Sequence, residues 1–335
     1  MQNKKKSLFR SYNLHKASLL LITIINLCSC KYYTKNWCLP EVGTLLWVTE
    51  TLTDTAIKLA VTKTLETSTI IIAQVSWSPN DRNFFDNAEW YHSLATDHGK
   101  SFMLNVDWLE NDRSTTRGGW SFQNEQIRQT FYTDIHKLVE KYHPDYLTLG
   151  IEVNYYALTN ADGYREFVKC FNQIKASLKK QNPKLKIGLS FQLQLLYGIH
   201  SDWAQNRSLP ALDAVVENLD YIGVSLYQDV QISKIPSLLY SLNYLDSLAT
   251  NYRKPIGITE TGISSKTFND KQRADYINAI YQKFTDLDLK FLIWGSIIDN
   301  PKNENWQNEI GLLYSNGTEK PEFKIWQTRN LKIIR

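Results

Sequence analysis

The sequence predicts an α/β chain folded as one (β/α)8 TIM barrel, and three observations carry that prediction. Eight short apolar runs rich in Ile, Val and Leu recur along the chain, and segments with apolar residues at helical spacing alternate with them. These units fill residues 43–335 of a 335-residue chain whose 43% hydrophobic and 13% aromatic content can bury one large core. No G-x-G-x-x-G turn follows the first strand, as an open dinucleotide-binding sheet would require.

Taken in order, "GTLLWVT" (43–49) is the first strand, and "TDTAIKLAVTKTLE" the helix behind it, with Thr53 or Asp54 suited to its N-cap. "TIIIAQVSW" (69–77) is continuously apolar, as a parallel strand buried on both faces should be. A helix over 87–98 and the strand "SFMLNVDW" (101–108) follow. The helix over 124–142 places Ile127, Phe131, Ile135, Leu138 and Val139 on one face. "YLTLGIEVNYY" (146–156) begins as an alternating strand and stops on Glu152. Phe167, Phe171, Ile174 and Leu178 mark the next helix, over 163–181, and "LKIGLSF" (185–191) the fifth strand. "LPALDAVVENL" then leads as a helix to "YIGVSLY" (221–227), and "IPSLLYSLNYLDSLATNY" to "PIGITE" (255–260). A last helix over 271–284 leads to the eighth strand, "FLIWGS" (291–296).

Residues 1–29 have the pattern of a lipoprotein-type signal peptide and 30–42 of a linker. Lys4, Lys5, Lys6, Arg10 and Lys16 precede "ASLLLITIINL", an apolar run too short to span a bilayer as a helix. "LCSC" at 27–30 resembles the bacterial lipobox, which implies cleavage and lipidation at Cys30 and a membrane-anchored protein at the cell envelope. Lys31 next to Cys30 favours an outer-membrane or surface position by the same likeness. An ordinary signal peptide or an uncleaved anchor would also export the chain. Without the five basic residues the net charge falls from +4 to −1, which offers nucleic acid no basic surface. Cys38 and Cys170 could pair in an oxidising compartment, but Cys170 beside Phe167, Phe171 and Ile174 reads better as a small buried hydrophobe.

In such barrels the chemistry sits at the C-terminal ends of the strands. The fourth strand ends on Glu152 and the seventh on Glu260, 108 positions later, so the three intervening units average 36 residues. Strands 4 and 7 face each other across the mouth. Two carboxyls about 5–5.5 Å apart are what a retaining glycosidase needs, one to attack the anomeric carbon and one to protonate the leaving oxygen.

"PDYLTLGIEVN", "DYIGVSLYQ", "KPIGITETG" and the closing "GLLYSNGTEKPEFKIW" resemble the clan of retaining (β/α)8 glycoside hydrolases, and within it the endo-β-1,4-galactanase type. The resemblance covers residues 43–326 and implies Glu152 as acid/base and Glu260 as nucleophile. It also implies that Tyr227 bonds the nucleophile and that Trp294 forms the floor under the sugar. One position departs from the pattern: the clan's Asn before the acid/base, which holds the sugar 2-hydroxyl, is Ile151 here, with Asn154 two residues past Glu152 as a substitute.

Trp77, Asn105, Asp107, Trp108, Gln192 and Gln194 end the second, third and fifth strands, where aromatic faces and amides can hold a sugar. His92, His98, His136 and His143 fall on helices or their ends, and no His or Cys cluster has metal-ligand spacing, so neither metal nor cofactor is expected. "NGT" at 316–318 reads as a turn. The function expected is hydrolysis of a β-linked poly- or oligosaccharide. A glycan-binding barrel without turnover, which Ile151 would suit, and a transglycosylase using the same carboxylates are the alternatives.

Overall fold

The computed structural model describes residues 40–334, apart from Glu50, Arg82, residues 204–205, 231–238, Asp288 and residues 301–305. The signal segment, Cys30 and Cys38 lie outside the described residues. Eight parallel strands, in the order β1-β8-β7-β6-β5-β4-β3-β2, alternate with helices as a (β/α)8 barrel. The strands are β1 (Glu41–Thr44), β2 (Ile70–Ser76), β3 (Ser101–Asp107), β4 (Tyr146–Thr148), β5 (Lys186–Gln192), β6 (Tyr221–Tyr227), β7 (Ile256–Gly262) and β8 (Leu289–Trp294). Between β1 and β2 the ring is bridged by Thr69, whose N–H donates to the Val42 carbonyl (2.8 Å) while its Oγ1 accepts from Val42 N (2.9 Å).

Around the strands run α1 (Asp54–Thr67), α2 (Glu89–Asp97), α3 (Glu125–Tyr142), α4 (Asn154–Thr159), α5 (Ala161–Gln181), α6 (Leu193–Leu196), α7 (Leu209–Asp213), α8 (Asn243–Tyr252), α9 (Asp270–Asp286) and α10 (Pro321–Ile334). Several of these start on side chains that satisfy free N–H groups: Thr53 accepts from Ala56, Asn124 from Gln126, and Asn269 with Gln272 forms a reciprocal box. The helix expected over 209–219 is only α7 and a following 3-10 turn, Val216–Asn218.

Two apolar cores result. The larger fills the layer between strands and helices; Leu45, Ile70, Ile72, Met103, Tyr221, Phe291 and Ile293 fill the lower lumen. Glycines admit the lumen aromatics: a Cβ on Gly188 would stand 2.5 Å from the Tyr221 ring, and one on Gly257 2.1 Å from that of Phe291. Above this apolar plug the lumen turns polar, with Ser190 bonded to Ser225 (3.3 Å) and Thr259 (2.5 Å). Side chains alternate across a strand, so this inward set also fixes which residues reach the barrel's mouth.

Cys170 on α5 is a buried free thiol, and burial pushes its pKa up to about 12. It behaves as the small hydrophobe its neighbours suggested.

Candidate active site

Both glutamates reach the mouth by departures from regular strand geometry. β4 keeps only three residues of ladder, after which its chain bends across β5 through Leu149 N to Gly188 O (3.0 Å) and Val153 N to Ser190 O (3.0 Å). Gly150 permits the bend, since a Cβ there would stand 2.4 Å from Val153 and 3.0 Å from the Trp108 indole nitrogen. Glu152 itself adopts a left-handed backbone, φ 53°. On β7 the device is a bulge: Val224 pairs with Ile258 but Ser225 pairs with Glu260, so Thr259 is an extra residue. Thr259 can then bond Ser190 inside the lumen while Glu260, one residue on, opens into the cavity beside Ser225.

That cavity, about 790 Å³, is lined by Glu152, Glu260, Asp107, Arg113, Gln192 and Tyr227 among others. Arg113, in the loop after β3 and also left-handed (φ 62°), spans two acids. Its Nη1 donates to both Asp107 carboxylate oxygens (2.8 and 2.7 Å) and its Nε to Glu152 Oε2 (3.0 Å). Arg117 approaches Asp107 from the same loop at 3.7 Å.

Burial raises the Glu152 pKa, and the Arg113 guanidinium and the Ser225 hydroxyl pull it back. Burial and the nearby Glu152 charge push Glu260 up to about 8, with the Arg113 charge and then the Tyr227 hydroxyl as partial offsets. The Tyr227 phenol is itself driven well above its ordinary value, mainly by burial, and so remains a donor. Tyr155 and His200, both on the cavity wall, bond to each other at 2.7 Å. Burial lowers the His200 pKa, so this ring is neutral near pH 7.

Of the residues singled out from the sequence, Glu152, Glu260, Asp107, Gln192 and Tyr227 line the one cavity. Gln192 also caps α6, its Oε1 accepting from Leu195 N at 2.9 Å. Four others need correction. Trp294 is buried with its ring near Trp326 (5.7 Å) and its N–H on the Ile310 carbonyl (2.7 Å). On β8, Phe291 and Ile293 point into the lumen, so Trp294 points out and cannot be the sugar's floor. Trp77 follows Ser76 in the same sense: buried, edge-on to Trp120 and Phe131, it donates to Asp134 on α3.

Asn154 is also structural. Its Nδ2 donates to the Gln192 carbonyl (3.0 Å) and to Ser208 (2.9 Å), while its Oδ1 accepts from Gln192 N (2.9 Å). Asn105 points into the lumen one layer below Asp107 and is fully buried; neither of its amide atoms has a protein partner. Ile151 is buried off the cavity.

Residues that the sequence reading missed complete the wall. Trp47, just past β1, is 38% exposed at the cavity and anchored by its N–H to the Gly295 carbonyl at 3.0 Å. Ser225, which does not line the cavity but bonds Glu152, was legible as the inward neighbour of Tyr227 on β6, two positions away. Arg113, Arg117, Tyr155 and Trp203 lie on loops or short helices with no comparable periodicity. Among the described residues no group of three or more His, Cys, Asp or Glu could hold a metal ion.

The chain matches no family model and no curated protein. In fold it is similar to an exo-β-1,4-mannosidase from Opitutaceae bacterium strain TAV5 (TM-score 0.66, 14% identity), over 89% of this chain and 60% of that one. It is similar also to a family 39 glycoside hydrolase from Bacteroides cellulosilyticus WH2 (TM-score 0.61, 14% identity), over 86% of this chain and 62% of the other. A third similar structure is a β-glucosidase from Thermotoga maritima (TM-score 0.58, 15% identity), with 83% and 85% of the two chains covered. At these identities the likeness establishes the fold, a barrel on which solved glycoside hydrolases are built.

Proposed function

We propose that the protein hydrolyses β-linked glycosidic bonds with retention, Glu260 attacking the anomeric carbon and Glu152 acting as acid and then base. The observation that carries this reading is the meeting of two buried glutamates, from the ends of β4 and β7, in one cavity at the barrel mouth. Their surroundings differ, and Glu260, raised to about 8 in the empty cleft, must give up its proton before it attacks. Glu152 has a cation and a serine hydroxyl, whereas Glu260 has a tyrosine hydroxyl beside it and the charge of Glu152 nearby.

Sugar binding would fall to Trp47 as the exposed aromatic and to Gln192 and Tyr227 as polar contacts. Among β-linked polymers, β-1,4-galactan is the first to try, on the strength of the sequence motifs. Export and lipid anchorage at Cys30 belong to the same proposal and support an envelope enzyme meeting glycans outside the cell. The intact mass of the mature protein tests that anchor: a diacylglyceryl group on Cys30 supports it, and an unmodified N-terminus sinks it.

For catalysis, the test is a panel of aryl β-glycosides and β-glycans with the parent, Glu152→Gln and Glu260→Gln proteins. Turnover by the parent, lost in Glu260→Gln and kept by Glu152→Gln only in part and on activated aryl glycosides, is the expected result. A second reading, a barrel that binds glycan without cleaving it, is favoured by Ile151 and by the ion pair on Glu152. It predicts no turnover by any of the three and similar affinity in all.

A further inference from the structure

Four residues other than glycine have left-handed backbones among the described residues: Arg113, His143, Glu152 and Arg253. His143 and Arg253 are helix C-caps, where that conformation is the ordinary way to end a helix. Arg113 and Glu152 are not; they are the two partners of the ion pair in the cavity, joined at 3.0 Å. Backbone of this kind persists only where the surroundings over-determine it, and it concentrates at working sites. The Arg113 fork is completed by Asp107, which takes two more bonds, so the guanidinium keeps a carboxylate partner even if it lets Glu152 go.

We propose that Arg113 is a positioning residue for Glu152: it clamps the carboxylate in the empty cleft, and substrate entry breaks that contact before Glu152 can donate a proton. The proposal rests on the assignment of Glu152 as the proton donor. A general acid must carry a proton when the substrate is bound, and a carboxylate held by a guanidinium resists taking one. As the aglycone side of a substrate fills the space before Glu152, Arg113 falls back on Asp107 and Glu152 takes its proton from solvent. The other groups that face Glu152 are Asp107 on β3, with Arg117 behind it, Tyr155 on α4, Ser225 and Tyr227 on β6, and Glu260 on β7. Arg113 is the one with a full positive charge in contact with it.

The test is an NMR titration of glutamate side-chain carboxyl carbons in the parent, Arg113→Gln and Arg113→Lys proteins, with Glu152→Gln used to assign the resonance. Arg113→Gln should raise the Glu152 midpoint by about one pH unit or more, and Arg113→Lys, which keeps the charge but loses the fork, by less. If Arg113→Gln does not fold, Arg113→Lys still carries the measurement. The basic limb of kcat/KM should move up in step, because it reports the acid's deprotonation. A midpoint unmoved in every folded variant overturns the proposal, as does a rate that falls equally at all pH values. A midpoint that moves in a protein with no turnover supports the control of Glu152 by Arg113 and overturns only the reading of the site as hydrolytic.

Discussion

β4 and β7 deliver the same side chain to the same cavity by opposite means. At β4 the ladder stops early, the chain bends over Gly150, and Glu152 arrives on a left-handed residue already held by Arg113 and Ser225. At β7 the ladder runs past Glu260 to Gly262, and one extra residue, Thr259, turns the glutamate into the lumen with a tyrosine hydroxyl for company. The consequence is electrostatic. Burial raises both carboxyls and Arg113 opposes the rise in both, but it touches Glu152 directly, whereas at Glu260 the charge of Glu152 outweighs it. Two chemically identical groups acquire different proton affinities from the backbone devices that place them.

The largest effect should come from removing either carboxylate. Glu260→Gln and Glu152→Gln are each expected to lower kcat on a β-linked substrate by about 10²- to 10⁴-fold or more. The two should differ in leaving-group dependence: Glu152→Gln should keep more activity on an activated aryl glycoside, which needs little protonation, and Glu260→Gln should not. Equal losses on both substrate types would erase the distinction between the two strand ends.

Next come the hydroxyl partners. Ser225→Ala should raise the Glu152 pKa and Tyr227→Phe that of Glu260, since each hydroxyl donates to the ionised form. A hydrogen bond to a charged group contributes about 1.5–3 kcal/mol, so kcat/KM should fall roughly tenfold or more in each. The pH–rate profile should shift on opposite limbs in the two variants.

A smaller effect separates the pair through stability alone. Glu260 moves from an ordinary value of 4.5 to about 8 on folding. Between those values the folded protein holds a proton that the unfolded chain has released, so stability falls as pH rises through that window. Glu260→Gln abolishes this loss. Its Tm should match the parent's near pH 4 and exceed it by a few °C at pH 8 to 9, in a scanning calorimetry series. A constant difference across that range would show that Glu260 is not raised by its site.

The smallest effect expected concerns sugar stacking. Trp47→Ala should raise KM about tenfold with kcat little changed, a loss of about 1.4 kcal/mol of binding. Trp294→Phe should leave KM alone and lower Tm, because that ring packs between α9 and α10 and not in the cavity. The reverse pattern would restore Trp294 as the sugar's floor.

The barrel was legible because its strands are continuous apolar runs and its helices carry regular stripes; both are period signals that survive without tertiary context. The glutamates were legible because strand ends at the right spacing are few. What failed was phase. Trp77 and Trp294 end strands, as site residues do, but counting by two from the lumen residues Ile72 and Ile293 would have turned both outward. The bulge that aims Glu260 breaks this same counting rule, and no residue type announces it. Arg113 sits in "ENDRSTTRGG", a polar loop whose route over the mouth is set by long-range pairing with Asp107 and Glu152. From the sequence Asn154 reads as a sugar ligand, because its neighbours Gln192 and Ser208, which consume its amide, are remote in sequence.

The most direct test of the account is mass spectrometry of the protein after incubation with activated 2-deoxy-2-fluoro-β-glycosides of the galacto, gluco and manno series. One fluoroglycosyl unit is expected on the peptide that contains Glu260, absent from the Glu260→Gln protein. Label on Glu152, or no label from any series in a protein that binds the same sugars, would contradict it.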